Sequence, residues 1–349
     1  MRPRVVDWAL LALVVFEVVS GLASFLVGRP EGRALFWLHG AVGLALLGLV
    51  VVKLARVWRR VAEPARRQPG AAISVATAVA ALAAVGSGVY WVMAQTPVGY
   101  PSGMILHTTI GVLALGLCLS HVALRYKPLR RRDLRDRRSL LRLGGLVAAG
   151  AVAWGAVEGA TRLASLPGAQ RRFTGSRLAA DQEDGPFPVT MWMADRIPTL
   201  APDRCHLAVT GAVAAPRQLT LSELGALPQT ELRAALDCTG GWYTVQQWQG
   251  VRVGDLLELA GVEASARYVC FRSATGYRWS LPLAEARAAL LATQVGGQPL
   301  APGHGAPLRL VAPGRRGFQW VKWVVAVEAL EEPDLGQWAA IFTSGLGRA

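Results

Sequence analysis

Two groups of side chains in this sequence have the types and spacing to do chemistry. The first is a cysteine on a glycine turn, Asp237-Cys238-Thr239-Gly240-Gly241-Trp242-Tyr243, followed by Trp248-Gln249-Gly250-Val251. A thiol placed there, after the apolar run Ala234-Ala235-Leu236, is held by backbone and flanked by aromatic rings, a setting that presents a thiolate to a metal. A buried, reduced cysteine at a strand end leaves the same local trace. The second group is a pair of histidines, His39 and His107, each a few residues into a long apolar stretch. Two neutral imidazoles at one depth of a helical bundle match the axial ligands of a b-type haem iron, whereas one alone reads as a hydrogen-bonded structural residue.

Further along, His304-Gly305-Ala306-Pro307-Leu308-Arg309 leads through Pro313-Gly314-Arg315-Arg316 to Gln319-Trp320-Val321-Lys322-Trp323. Taken in order, the Cys238 turn, Trp248-x-Gly-Val251, the His-Gly-x-Pro-x-Arg block and the Val-Lys-Trp block resemble the catalytic domain of the sulfite oxidase family, over roughly residues 185 to 335. The resemblance implies an α+β domain in which Cys238 ligates the molybdenum of a molybdopterin cofactor. It also implies that His304, Arg309 and Lys322, with backbone groups of Trp320 and Val321, hold that cofactor. Arg309 offers a planar fork suited to phosphate, and Lys322 a point charge. Tyr243 is the candidate catalytic residue beside the metal, and Trp242 and Tyr277 are candidates for the pocket wall. The sequence departs from the family at Arg272–Tyr277, where no acid stands and the family places an aspartate. The small oxo-substrate therefore stays open between sulfite-like oxidation and S-oxide or N-oxide reduction.

The elements that must position these residues begin in the membrane. Hydrophobic residues make up 52% of the 349 and charged ones 17%, too apolar for an ordinary soluble protein. The net charge of +14 resides in Arg2 and Arg4, in Lys53–Arg67 and in Arg125–Arg142, short segments flanking apolar runs. That is the positive-inside pattern of cytoplasmic loops, and it argues against nucleic acid as the partner. The four cysteines show no C-x-x-C spacing, which argues against a zinc or redox-pair motif.

Four spans are expected at Asp7–Gly28, Ala34–Val52, Ala71–Ala94 and Met104–Tyr126, with a cytoplasmic N-terminus, and they make an up-and-down cytochrome b-like bundle. His39 and His107 then share a depth near the outer face and offer one haem b. Glu17 falls inside the first span, where a carboxyl is turned toward protein, and it reads either as a proton- or quinone-handling group or as a protonated side chain hydrogen-bonded to a neighbouring helix. His121 lies about 21 Å further along the fourth span than His107, and the matching position on the second is Lys53, so the inner end lacks a histidine pair. His121 bounds a quinone pocket or serves the structure. Arg137-Arg138-Ser139-Leu140-Leu141 before the apolar Leu143–Ala160 resembles an internal twin-arginine export signal, followed by a fifth span that delivers the rest outward.

The domain organisation expected is a four-helix transmembrane domain at 1–130, export signal and fifth span at 131–165, a linker at 166–186, the molybdopterin-binding domain at 187–335 and a tail at 336–349. Helical stretches are expected at Leu221–Leu227, Val253–Ala260 and Leu283–Thr293. The function expected is a multi-pass cell-membrane oxidoreductase with an extracytoplasmic molybdenum site, exchanging electrons with the haem and with a membrane quinone or other redox partner. The alternative is a non-enzymatic membrane protein that uses the same fold for binding or assembly.

Overall fold

A computed structural model describes residues 1–62, 71–94, 102–128, 130, 133, 136–179, 184–192, 194–201 and 205–346. Most of the expected loop Gln95–Gly103 and part of each basic run lie outside the described residues. The chain divides into two compact units, Met1–Arg177 and Leu178–Ala349.

The first unit is helical: α1 (Pro3–Ser24), α2 (Arg33–Ala62), α3 (Ala71–Met93), α4 (Gly103–Arg125) and α5 (Arg137–Leu163). All five are long and apolar enough to cross a membrane. Large apolar side chains such as Val19, Leu22, Val112, Leu113 and Val152 point outward. The helices depart from the expected bounds for local reasons. Proline is tolerated in a first turn, so α1 starts at Pro3. Arginine, leucine and alanine favour helix, so α2 runs past Lys53 to Ala62. For the same reason Arg137 and Arg138 form the first turn of α5 instead of a preceding loop.

The fifth helix is packed into this unit, against α2. Small residues allow the approach: a Cβ on Gly150 would sit 2.5 Å from Ala41 O, and one on Gly40 would sit 2.2 Å from the Trp154 ring. Backbones approach this closely in membranes mainly through glycine and alanine.

The second unit is α+β, built on two sheets. One is six-stranded, in the order β1-β5-β8-β10, with β4 on β5 and β9 on β8; the other is five-stranded, in the order β3-β2-β11-β6-β7. In the first sheet β1 is Arg177–Leu178, β4 Gln229–Cys238, β5 Trp242–Arg252, β8 Leu290–Val295, β9 Gln298–Pro299 and β10 Arg309–Val311. In the second β2 is His206–Gly211, β3 Arg217–Thr220, β6 Tyr268–Ser273, β7 Arg278–Pro282 and β11 Val324–Leu330. The β2–β11 pairing is parallel and its neighbours are antiparallel, so this sheet is mixed.

Short helices α6 (Leu221–Ala226), α7 (Val253–Leu259), α8 (Leu283–Ala288) and α9 (Gln337–Thr343) connect or flank the strands. Helix α6 opens with a capping box, Thr220 Oγ1 accepting from Glu223 N–H while the Glu223 carboxylate accepts from Thr220 N–H. One expectation is corrected. The stretch Leu283–Thr293 is helix only to Ala288, after which buried Leu290, Leu291 and Ala292 enter β8, where two-sided burial outweighs helix propensity. Within the expected tail at 336–349, Gln337–Thr343 forms α9, with Gln337 and Ala340 buried and Phe342 exposed.

Candidate functional site

Strands β4 and β5 form a hairpin whose tip is the Cys238 turn. In its register Cys238 faces Trp242 and Asp237 faces Tyr243. Residues directly opposite share a face and neighbours alternate, so Cys238 and Trp242 lie on one face and Tyr243 on the other. Tyr243, the candidate catalytic residue, thus stands on the opposite face of the hairpin from Cys238. Gly240 N–H points at Cys238 Sγ at 3.3 Å, and Thr190 Oγ1 lies 3.6 Å from the same sulfur. Burial pushes the Cys238 thiol up, while these two contacts favour the thiolate.

The base of the hairpin tip is fixed from behind. Asp237 and Arg316 are both buried and their charged groups lie 3.5 Å apart, while Arg316 Nη2 donates to Cys238 O at 3.3 Å. Phe318 and Gln319 follow in a single 3₁₀ turn, Gly317–Gln319. Its Gly317 is closely approached, since a Cβ there would lie 3.2 Å from Cys238 Cα and from Asp237 O.

The histidine and the two cations of the downstream blocks converge. His304 Nε2 bonds Phe187 O at 3.1 Å, and its ring stacks on Phe187 at 4.0 Å between centroids. Arg309 Nη1 donates to His304 O at 2.9 Å, and its guanidinium lies over the rings of Trp248 and Trp320. Lys322 Nζ donates to Thr190 O at 2.9 Å and to Gly303 O at 2.6 Å. Gly305, at φ +108°, turns the chain between them, and a Cβ there would lie 3.1 Å from Lys322 Cβ and 3.2 Å from Arg309 Cβ. Trp320 and Val321 are buried beside Lys322, and Val321 O accepts from Leu310 N–H.

No carboxylate pairs directly with either cation among the described residues. Arg309 is 3% exposed and its Nε has no partner. Burial lowers Arg309 to about 10, and burial reinforced by Arg309 lowers Lys322 to about 7. A buried guanidinium with an orphaned donor beside a depressed lysine is a locus of positive potential that an anion would relieve. The donor set fits the phosphate and the polar pterin of molybdopterin, and both cations sense the Cys238 thiol electrostatically.

Four residues of this neighbourhood were not singled out from sequence. Phe187, Thr190, Trp192 and Asp195 come from a stretch without secondary-structure periodicity. Trp192 joins Tyr277 and Phe318 in an aromatic group, with centroids 5.9 and 6.4 Å away, and the Tyr277 hydroxyl donates to Phe318 O. Burial raises the Asp195 carboxyl and the Tyr277 phenol. Phe187 and Trp192, large aromatics in a run otherwise rich in proline, were the signal available.

In the helical unit the rings of His39 and His107 face each other with centroids 6.1 Å apart and planes at 87°. Each Nδ1 is held: His39 by Ser20 Oγ at 2.9 Å with Glu17 Oε2 at 3.2 Å, and His107 by Ser87 Oγ at 3.1 Å and Ala84 O at 3.0 Å. Both histidines line a cavity of about 1240 Å³.

Residues 194–338 match the family model described as the oxidoreductase molybdopterin binding domain. With the cysteine turn and the unanswered cations, this defines the class: the second unit is a sulfite oxidase-family molybdopterin-binding domain. The chain is 36% identical to the uncharacterized oxidoreductase YuiH of Bacillus subtilis (strain 168), over 38% of itself and 69% of that protein. It belongs to the molybdopterin-binding oxidoreductase family and is an oxidoreductase, which removes the non-enzymatic alternative. It is also 32% identical to mitochondrial sulfite oxidase of Rattus norvegicus, over 41% of this chain and 32% of that one. To the protein-methionine-sulfoxide reductase catalytic subunit MsrP of Xanthomonas campestris pv. campestris it is 32% identical, over 40% of this chain and 49% of that one. The chain therefore spans most of the Bacillus protein and half or less of the other two.

Proposed function

We propose that the protein is a membrane-anchored reductase of S-oxides, with its molybdenum site outside the cytoplasm and its electrons drawn from the quinone pool through a haem b. The observation that carries the molybdenum assignment is the buried Arg309, with its orphaned Nε, next to Lys322 and Cys238. When bound, the molybdenum cofactor supplies two-electron oxygen-atom transfer. Cys238 is the thiolate ligand; His304, Arg309 and Lys322, with backbone of Trp320 and Val321, hold the pterin and its phosphate. Thr190 links the two, since its carbonyl accepts from Lys322 and its hydroxyl lies on the Cys238 sulfur.

Reduction of an S-oxide is favoured over sulfite oxidation by two features. The nearby Trp192–Tyr277–Phe318 group offers an apolar wall to a neutral sulfur compound. The likeness to a methionine-sulfoxide reductase catalytic subunit points the same way. Reduction consumes two electrons and two protons and releases the thioether and water.

The haem reading is supported by the facing of His39 and His107 and by the serine contacts that occupy each Nδ1. Metal-bound histidines typically engage their other ring nitrogen in this manner. The membrane reading is supported by the five long apolar helices and by the basic segments flanking them, which set the N-terminus inside and, with Arg137-Arg138 as an export signal, the second unit outside.

The test is a substrate panel with purified full-length protein and a reduced viologen dye as electron donor. Methionine sulfoxide should be converted to methionine, with no turnover of sulfite when an acceptor dye is supplied. Sulfite oxidation without sulfoxide reduction would overturn the assignment of substrate class.

A further inference from the structure

The cavity of the helical unit does not end at the histidine pair. At about 1240 Å³ it extends to His121, Lys53, Trp8 and Tyr126, and it exceeds the ~300–1,000 Å³ that usually encloses one small ligand. His121 Nδ1 lies 3.1 Å from Ser74 Oγ, which pairs α4 with α3 at this level. Lys53 Nζ is 2.9 Å from Asp7 Oδ1, so its charge is answered within the protein. Lys53, Arg125 and Asp7 are all near enough to His121 to interact with it electrostatically. Trp8 and Tyr126 meet edge to face with centroids 6.1 Å apart, and the Trp8 indole N–H donates to Lys127 O.

This end differs from the other in one decisive respect. The histidines of the helical unit are His39, His107 and His121, and the first two face each other, so no second imidazole is available opposite His121. A bis-histidine metal site cannot form there. What the residues do offer is a single imidazole reaching an apolar cavity, with aromatic edges nearby and an ion pair already neutralised. That favours a neutral, flat ligand with a polar oxygen at its end.

We propose that this end of the cavity binds the headgroup of a quinone, with His121 meeting one ring oxygen and Ser74 setting the imidazole tautomer. A serine hydroxyl both donates and accepts. When Ser74 donates to Nδ1, the proton sits on Nε2, which donates to a quinone carbonyl. When Nδ1 donates to Ser74, the bare Nε2 accepts from a quinol hydroxyl. One pair of residues thus receives either redox form without taking on charge. The proposal deepens the quinone part of the function above and depends on it for the redox role, though not for the binding.

The experiment is equilibrium binding of decylubiquinone to full-length protein in detergent, with haem content and absorbance measured on the same samples. The parent should bind one equivalent per chain. His121→Leu should weaken binding about tenfold, as expected for one lost hydrogen bond in an apolar site, with the b-type absorbance unchanged. Ser74→Ala, which removes one oxygen, should weaken binding several-fold and carries the test if His121→Leu is not recovered folded. Unchanged affinity in the folded variants would overturn the proposal. So would a haem content of two per chain that falls to one in His121→Leu, since the inner end would then hold a second haem. A parent without b-type absorbance whose quinone binding still depends on His121 would remove the haem reading and leave this site standing.

Discussion

Lys322 shows how burial of one side chain becomes a measurable property of the protein. Its ammonium is lowered from 10.5 to about 7, first by burial and then by Arg309. A base whose folded pKa is depressed binds fewer protons folded than unfolded across the window between those two values. Stability of the cofactor-free protein should therefore rise as pH climbs from about 7 toward 10.5. Lys322→Met should flatten that rise, as read by thermal denaturation of the second unit within the full chain across the same pH range. A rise of equal slope in the variant would place the depression elsewhere. At this scale the sequence was informative where chemistry sits in named blocks: Cys238, His304, Arg309 and Lys322 are brought to one neighbourhood. It was uninformative where a contact is made across the chain. Thr190 is 48 residues from Cys238, and nothing in Pro188–Met191 marks it as a neighbour. The face on which Tyr243 stands was not legible either, because a strand residue's face is set by register, and a register offset of one residue reverses it.

Helices and strands were legible where burial has one period. The long apolar helices were found because about twenty apolar residues have few alternatives in water or lipid. Their ends were not, because α2 and α5 carry good helix formers through their basic segments. Strand β8 was taken for helix because Leu290–Ala292 is a continuous apolar run, and such a run does not distinguish a two-sided strand from a buried helix. The packing of α5 onto α2 also required structure, since it depends on which glycines face each other. Gly150 has Ala41 O and Ala45 N within 2.7 Å of where its Cβ would be, whereas Gly155 faces open space. Gly150→Leu should lower the thermal midpoint of the helical unit in detergent by several degrees, and Gly155→Leu should leave it unchanged. Equal effects from the two would show that α5 is a tether and not a packed member of the bundle.

On the scale of the whole molecule the two units divide the proposed roles, the molybdenum site in the second and the His39–His107 pair in the first. His39→Ala or His107→Ala should remove the b-type absorbance and stop quinol-driven turnover, while turnover with a soluble reduced dye persists. Loss of both activities would mean that the histidines support folding of the second unit and not electron delivery. The central proposal for the second unit is that Cys238 is a molybdenum ligand. It is tested most directly by X-ray absorption at the molybdenum edge on purified full-length protein, parent against Cys238→Ser, with molybdenum content measured in parallel. The account predicts near-equal molybdenum in the two, one sulfur neighbour fewer in the variant, and no turnover. An unchanged sulfur count with retained activity would contradict it.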